Sequence, residues 1–416
     1  MAGAGALPLR VGLVGSGFIA GFHLQAFLGV RNAQIAGVFS PTPARREAVA
    51  ARATATGLGP CEVFGSVDAM VRSGRTDAIW ILAPNYVRLD VMRAIHGGVK
   101  DGRSGVRAVA CEKPLARNLQ EAREMVRLAR DAGLLTGYLE NQIFSTAVQR
   151  GKEIIWRRGA ANAGRPYLAR AAEEHSGPHE PWFWRGEQQG GGVLSDMMCH
   201  SVEVARFLLT DPGKPRSSLR PLSASGTIAA LKWTRPEYVS RLKQMMGADV
   251  DYGRAPAEDF ARGTIVLEDD ARQKVIIEAT TSWSYVGPGL RLQMELLGPE
   301  YAMEFNSLNT GLRLFMSRAI TGRAGEDLVE KQNAEQGLMP VLEDEAAVYG
   351  YTLEDRHMVE SFRQGFAPME TFEDGVAVVE LLMALYKSAE TGQTVSLPDP
   401  ELETYTPAVA RGEFRG

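Results

Sequence analysis

Cysteine is scarce: Cys61, Cys111 and Cys199 are the only ones in 416 residues. Three thiols, odd in number and far apart, make neither a disulfide framework nor a four-thiolate zinc site, and a reducing cytoplasm is the expected compartment. An excess of one charge is missing as well. Lys and Arg number 46 against 50 Asp and Glu, a net charge of −4 with no long like-charge block, so neither nucleic acid nor an anionic membrane is an expected partner. No apolar run approaches the roughly 20 residues of a membrane-spanning helix. Residues 1–8, small and apolar, lack the basic start of a signal peptide. Glycine and proline, at 44 and 21, stay below low-complexity levels, and no internal repeat is seen. What is present is ordinary globular material: 45% hydrophobic and 23% charged residues, in a chain long enough for two or three domains.

The first third alternates short β-branched runs with stretches of helical period, the pattern of a parallel sheet covered by helices. Residues 9–14 read as a strand, 18–28 as a helix and 34–39 as a second strand; Thr42 before Pro43 starts another helix. Further strands are expected at 78–82, 108–111 and 134–140. Between the last two, Asn118 and Glu121 make a capping pair and Gly133 a stop for a crossover helix. Beyond, strands at 167–172, 261–267, 274–280 and 291–297 are separated by longer polar stretches, which suggests an open, mostly antiparallel sheet. Thr371 and Asp374 open a last helix that ends near Gly392. The expected fold is α/β: a Rossmann dinucleotide-binding domain over 1–142, an α/β substrate-binding and oligomerisation domain over 143–398, and a tail over 399–416. Residues 319–337 read as a mobile loop.

The turn Gly15-Ser16-Gly17-Phe18-Ile19-Ala20 lies between the first strand and the first helix. That context turns a weak glycine pattern into a dinucleotide fingerprint: the glycines allow a tight turn and close approach of backbone to a pyrophosphate. A nicotinamide dinucleotide is the expected cofactor. The acidic residue that would accept hydrogen bonds from the adenine ribose is absent, since the second strand ends at Ser40, followed by Pro41, Thr42, Arg45 and Arg46. Ser40 with Arg45 suits the 2′-phosphate of NADP, while the two hydroxyls suit the bare ribose of NAD, and both stay open.

Two further motifs support each other: Glu112-Lys113-Pro114 directly after a strand, and Gly190-Gly191-Gly192 followed by Asp196 and His200. With them the sequence resembles the Gfo/Idh/MocA oxidoreductase family. Pro84-Asn85, Asn141, Trp184-Arg185 and the helix end at 385–392 extend the likeness to about residue 398. The resemblance implies NAD or NADP as cofactor and a sugar, cyclitol or derivative as substrate. It places Gly15, Ser16, Gly17, Phe18 and Ile19 at the pyrophosphate, and Ser40 and Arg45 near the adenine ribose. Glu112, Lys113, Pro84, Asn85, Asn141, Trp184 and Arg185 would also meet the cofactor. Three departures stand out: Arg88 where many relatives carry histidine, an apparent insertion at 101–107, and a long stretch at 232–257 that reads as a lid or subunit contact. Neither of the first two is expected to touch the chemistry.

Oxidising a secondary alcohol needs a base within hydrogen-bond reach of the hydroxyl, and His200, with a reference pKa near 6.5, is the candidate. Asp196 lies four residues earlier, on the same face if the segment is helical, where both side chains can hold adjacent sugar hydroxyls. Glu203 and Phe207 continue that face, beside an apolar stripe of Met197, Val204 and Leu208. Lys113 beside a cationic nicotinamide should have its charge disfavoured and so exchange a proton with the reacting oxygen. Glu173, Glu174, His175 and His179 are candidates for substrate recognition, and Arg170, Arg185 or Lys232 for an acidic substituent. No metal is expected, because no thiolate or HExxH pattern is near. Trp182, Phe183 and Trp184 read as core or as a sugar-stacking stripe, and His23, His96 and His357 as structural.

Three functions follow. The first is an NAD(P)-dependent dehydrogenase or reductase of a sugar, cyclitol or glycoside. The second is a redox-neutral glycosidase that transiently oxidises carbon 3, eliminates the aglycone, adds water and reduces the ketone. The third is a non-enzymatic dinucleotide sensor, against which proton-transfer groups at Lys113, Asp196 and His200 argue. An open sheet face suggests a homodimer or homotetramer.

Overall fold

A strand of near-continuous apolar residues, β1 (Leu9–Val14), opens a computed structural model that describes residues 7–320, 322 and 327–416. In chain order, α1 (Phe18–Phe27), β2 (Ala33–Phe39), α2 (Pro43–Ala55), β3 (Glu62–Val63), α3 (Val67–Arg72), β4 (Ala78–Ile81) and α4 (Asn85–Lys100) follow. Next come β5 (Ala108–Glu112), α5 (Leu119–Asp131) and β6 (Leu135–Leu139). The helix α6 (Thr146–Ile154) runs through a π-helical turn (Ile155–Ala160) into α7 (Ala161–Ala163). Then β7 (Leu168–Glu174), α8 (Gly186–Gln189), α9 (Val193–Leu209), β8 (Arg220–Ala229), α10 (Pro236–Met246), β9 (Phe260–Glu268), β10 (Lys274–Ser282), β11 (Arg291–Gly298) and β12 (Tyr301–Asn306) are laid down. The chain closes with β13 (Leu312–Met316), β14 (Gly337–Val341), α11 (Glu345–Val348), α12 (Tyr351–Gln364), α13 (Phe372–Thr391) and β15 (Val395–Ser396).

Two compact units result. The first joins Met1–Ala116, Gln120–Phe144 and Tyr349–Ala377; the second joins Arg117–Leu119, Ser145–Val348 and Val378–Gly416. In the first, six parallel strands take the order β3-β2-β1-β4-β5-β6, the Rossmann order whose switch point lies between β1 and β4. Every residue of β4 and β5 is buried, which explains their unbroken apolar character. Trp80 is fully buried and meets Phe27 and Phe362 edge-on, at centroid distances of 5.9 and 5.7 Å. Phe362 sits on α12, so this helix completes the Rossmann core from far along the chain. The expected boundaries are corrected here: 349–377 folds with the first unit because its apolar face, Met358, Val359 and Phe362, is needed there.

The second unit holds a sheet of order β12-β11-β7-β10-β9-β8-β15, in which only the β7–β10 pairing is parallel. The helix α9 lies against β7, β10 and β9, and all 17 of its residues are buried. It therefore has no polar face: Glu203 is tied inside to Arg206 and, at 3.0 Å, to Arg216. On the other face of the sheet, Arg170 bridges its cross-strand neighbours Glu278 and Glu295 at 2.7 and 3.1 Å, so it is bound in an ion ladder and not held out to a substrate. Residues 399–416 are no loose tail, since Leu402 and Val409 are buried in this unit. The stretch 232–257 folds as α10 with Trp233, Val250 and Tyr252 in the interior, and so has a packing role within the second unit. Of the loop expected at 319–337, residues 321 and 323–326 lie outside the described residues, as do residues 1–6. Lys331 is anchored by its ammonium, which donates to the Gly177 carbonyl at 3.1 Å.

Candidate active site

In the first unit the glycine turn lies at the switch point of the sheet. Gly15 has φ +129°, and a Cβ there would stand 2.5 Å from the Leu82 carbonyl oxygen; a Cβ on Gly17 would meet nothing. No side chain caps α1 at Gly17, and the first turn holds no acidic residue, an arrangement that favours an anion. These features fit a dinucleotide pyrophosphate. The Ser16 hydroxyl donates to Ser40 Oγ at 2.7 Å, joining the turn to the end of β2. Arg46 closes that end by donating to the Ser40 carbonyl at 3.1 Å, whereas Arg45 is exposed.

At the ends of β4 and β5 the backbone is held by a side chain expected to lie outside the chemistry. Arg88, buried on α4, donates to the carbonyls of Ala83 at 2.8 Å, Glu112 at 2.6 Å and Pro114. It thereby fixes both flanks of Lys113. Asn85 is buried at the start of α4, and Asn141 donates to the Tyr349 carbonyl at 2.8 Å. Glu112 is buried, with Oε2 accepting from the Lys113 N–H at 3.0 Å and Oε1 facing His23 Nε2 at 3.1 Å. Burial works to raise the Glu112 pKa, but the hydrogen bond and charge of His23 prevail and hold it below the usual carboxylate value.

In the second unit Asp196 and His200 both lie on α9, one turn apart and buried. Asp196 Oδ2 accepts from Trp283 Nε1 at 3.2 Å, and His200 Nε2 stands 3.9 Å from Glu173 Oε2. Of the four recognition candidates, Glu173 is thus brought to His200. Glu174 pairs with Arg291, His175 Nδ1 accepts from the Gly177 N–H at 2.9 Å, and His179, largely exposed, pairs with Glu330 at 3.2 Å. Trp184 is buried within 4.9 to 5.3 Å of the Trp233, Trp283 and Tyr252 rings, and Arg185 pairs with Asp249. Trp182 stacks on Phe183 with centroids 3.8 Å apart.

The glycine run ahead of α9 serves the protein's own packing. A side chain on Gly191 would collide with the Tyr386 hydroxyl, and one on Gly192 with Glu258. Glu258 Oε1 accepts from the N–H groups of Gly192 and Leu194 at 2.9 and 3.0 Å and from the Tyr386 hydroxyl at 2.6 Å. That hydroxyl in turn accepts from Ser195 N–H at 3.2 Å. Burial pushes the Glu258 pKa up to about 7 against these hydrogen bonds. Sequence reading missed Glu258, Tyr386 and Trp283, because nothing local marks them as partners of α9.

A parallel sheet of this order with a glycine turn at its switch point, in one chain with an α/β unit carrying a buried Asp-His pair, defines a dinucleotide-dependent oxidoreductase. Comparison with known families gives the same class. Residues 9–139 match the oxidoreductase family with NAD-binding Rossmann fold, and 164–397 match its C-terminal α/β domain, so the chain belongs to the Gfo/Idh/MocA family. It is similar to D-glucoside 3-dehydrogenase of Escherichia coli, 24% identical over 94% of this chain and 98% of that one. It is 31% identical to 1,5-anhydro-D-fructose reductase of Ensifer adhaerens over 49% of this chain, and spans 57% of that reductase's length. Among solved structures, GenD2 from gentamicin A biosynthesis in complex with NAD superposes with a TM-score of 0.75 at 22% identity, over 95% of this chain and 97% of that one, a likeness of fold. Among the described residues, no helix is long and apolar enough to cross a membrane.

Proposed function

We propose that this protein moves a hydride at a secondary hydroxyl or ketone of a sugar, cyclitol or glycoside. The observation that carries the reading is the buried Asp196–His200 pair on α9, with Glu173 beside the imidazole, in a chain of this family. A bound nicotinamide dinucleotide supplies the hydride acceptor or donor, and Gly15, Ser16, Gly17, Phe18 and Ile19 hold its pyrophosphate. Ser40, Arg45, Pro84, Asn85, Glu112, Asn141, Trp184 and Arg185 are proposed as its other contacts, of which the buried Trp184 acts through packing. His200 takes the hydroxyl proton as the C–H bond breaks, Asp196 holds a neighbouring hydroxyl, and Lys113 donates to the reacting oxygen. The substrate class is supported by alignment with D-glucoside 3-dehydrogenase over nearly its full length.

Incubation with NAD⁺ and a panel of glucosides, inositols and anhydrosugars, followed by NADH absorbance, tests the reading. His200→Ala should keep dinucleotide affinity while turnover falls roughly 10²-fold or more. Normal turnover by that variant would end the assignment of His200. The Glu173 carboxylate, 3.9 Å from His200, also favours a second reading, since a redox-neutral glycosidase needs one more base to remove the proton beside a transient ketone. Release of nitrophenol from a nitrophenyl glucoside with catalytic NAD⁺ and no net NADH would select it.

A further inference from the structure

We infer that His23, clamped between the carboxylates of Glu112 and Asp355, is a positioning residue for Lys113: it keeps Glu112 an anionic acceptor at the strand end that carries Lys113. The inference rests on the proposed role of Lys113 in proton exchange. His23 is fully buried on α1, Nε2 lies 3.1 Å from Glu112 Oε1, and Nδ1 lies 2.9 and 3.1 Å from the two oxygens of Asp355. Ionised carboxylates only accept hydrogen bonds, whereas a neutral imidazole has one bare nitrogen. Both ring nitrogens must therefore donate, which makes the ring an imidazolium. Asp355 is fixed as the other acceptor by Trp80, whose indole N–H donates to Oδ1 at 2.9 Å. Burial alone would lower the His23 pKa, but the two carboxylates raise it well above the usual value.

The neighbours support this charge distribution. Glu354, next to Asp355 on α12, is buried with neither oxygen hydrogen-bonded among the described residues, and burial pushes its pKa well up, so it is the protonated member. The charges facing Glu112 are then His23 from α1, Arg88 from α4 and its neighbour Lys113, with Asp355 from α12 and Glu140 beyond β6 acting on Glu354. The edge of Tyr351 closes the imidazole at 5.5 Å. His23, Glu354 and Asp355 also have possible ligand atoms within 4.8 Å of one another. With both ring nitrogens donating, the cation at this place is the imidazolium itself. Through its other oxygen Glu112 accepts from the Lys113 N–H, so whatever keeps Glu112 ionised also fixes the backbone of Lys113.

His23→Gln removes the charge and keeps an amide donor. With the opposite charge gone, the Glu112 pKa rises, so the acid limb of the pH–kcat profile should move up by roughly 1 to 3 pH units. Activity should return at alkaline pH, and KM for NAD⁺ should stay nearly unchanged. A variant whose activity falls equally at every pH, with the acid limb in place, would refute the positioning role while leaving the oxidoreductase reading intact. Wild-type turnover by Lys113→Met would instead strike the proposed role of Lys113 in proton exchange. Should His23→Gln not fold, nitrogen NMR of histidine-labelled wild-type protein reads the ring directly. Two protonated nitrogens up to mildly alkaline pH are expected; one bare nitrogen at neutral pH, or a divalent cation found by elemental analysis, would overturn the inference.

Discussion

Glu258 offers the most quantitative prediction, because a fully buried carboxyl holds the first turn of the helix that bears Asp196 and His200. Its folded pKa is pushed up to about 7 from 4.5, chiefly by burial. The folded protein therefore holds this proton more tightly than the unfolded chain does. The stabilisation is complete below the unfolded pKa and is lost as pH rises through the folded one. At 1.36 kcal/mol per pH unit, about 3 kcal/mol disappears between roughly pH 4.5 and pH 7. Glu258→Gln removes the titration while its amide oxygen still accepts from Gly192, Leu194 and Tyr386. Its new amide N–H₂ takes the place of Oε2, which has no partner among the described residues, at a constant cost of about 1–3 kcal/mol. The assay is urea unfolding of both proteins at matched pH, so that every other group cancels in the difference. The wild type should lead clearly at pH 4.5 and lose the lead by pH 7. Parallel curves across that window would show that Glu258 does not titrate there and that its burial is not the source of the shift.

Trp283→Phe deletes the indole donor that Asp196 accepts at 3.2 Å. Loss of this buried hydrogen bond should cost about 1–3 kcal/mol in thermal unfolding and raise KM for the sugar more than KM for NAD⁺. Arg88→Leu strips a shared donor from three carbonyls around the Glu-Lys-Pro strand end, so a loss of about 3 kcal/mol or more is expected, with turnover falling further than stability. Unaltered kinetics would separate Arg88 from Lys113. Gly191→Ala should disrupt the start of α9 by collision with the Tyr386 hydroxyl, and Tyr386→Phe in the same chain should recover part of the lost melting temperature. No recovery in the double variant would place the strain elsewhere.

The regular elements were legible wherever their signals are local. The strands at β1, β2, β4 and β5 were located to within a residue, because buried parallel strands are runs of apolar residues between turn signals. Thr371 and Asp374 behave as the capping pair their spacing suggests, with the Asp374 carboxylate accepting from the Thr371 N–H at 2.9 Å and hydroxyl at 2.8 Å. The one-turn spacing of Asp196 and His200 held because α9 is helical throughout. Less legible were elements whose place depends on distant partners. The apolar residues of α12 have helical period, yet nothing local says that they pack against Phe27 and Trp80, hundreds of residues upstream.

The same limit explains which site residues went unseen. Glu258 and Tyr386 reach α9 from 66 and 194 positions away, and Asp355 reaches His23 from 332. A lone acidic residue inside an apolar stretch shows only that burial must be compensated, without naming the compensating group. His23 reads as an ordinary core histidine for this reason, although its two ring nitrogens hold together carboxylates from two separate segments of the first unit. The Gly190-Gly191-Gly192 run misleads in the other direction. A glycine run ahead of a helix permits close approach by a ligand, but at Gly191 and Gly192 the space is taken by Tyr386 and Glu258, so these two glycines record the packing of a brace. That brace and the His23 clamp obey one rule: a proton-handling side chain keeps its aim only if the backbone beneath it is pinned by buried polar groups.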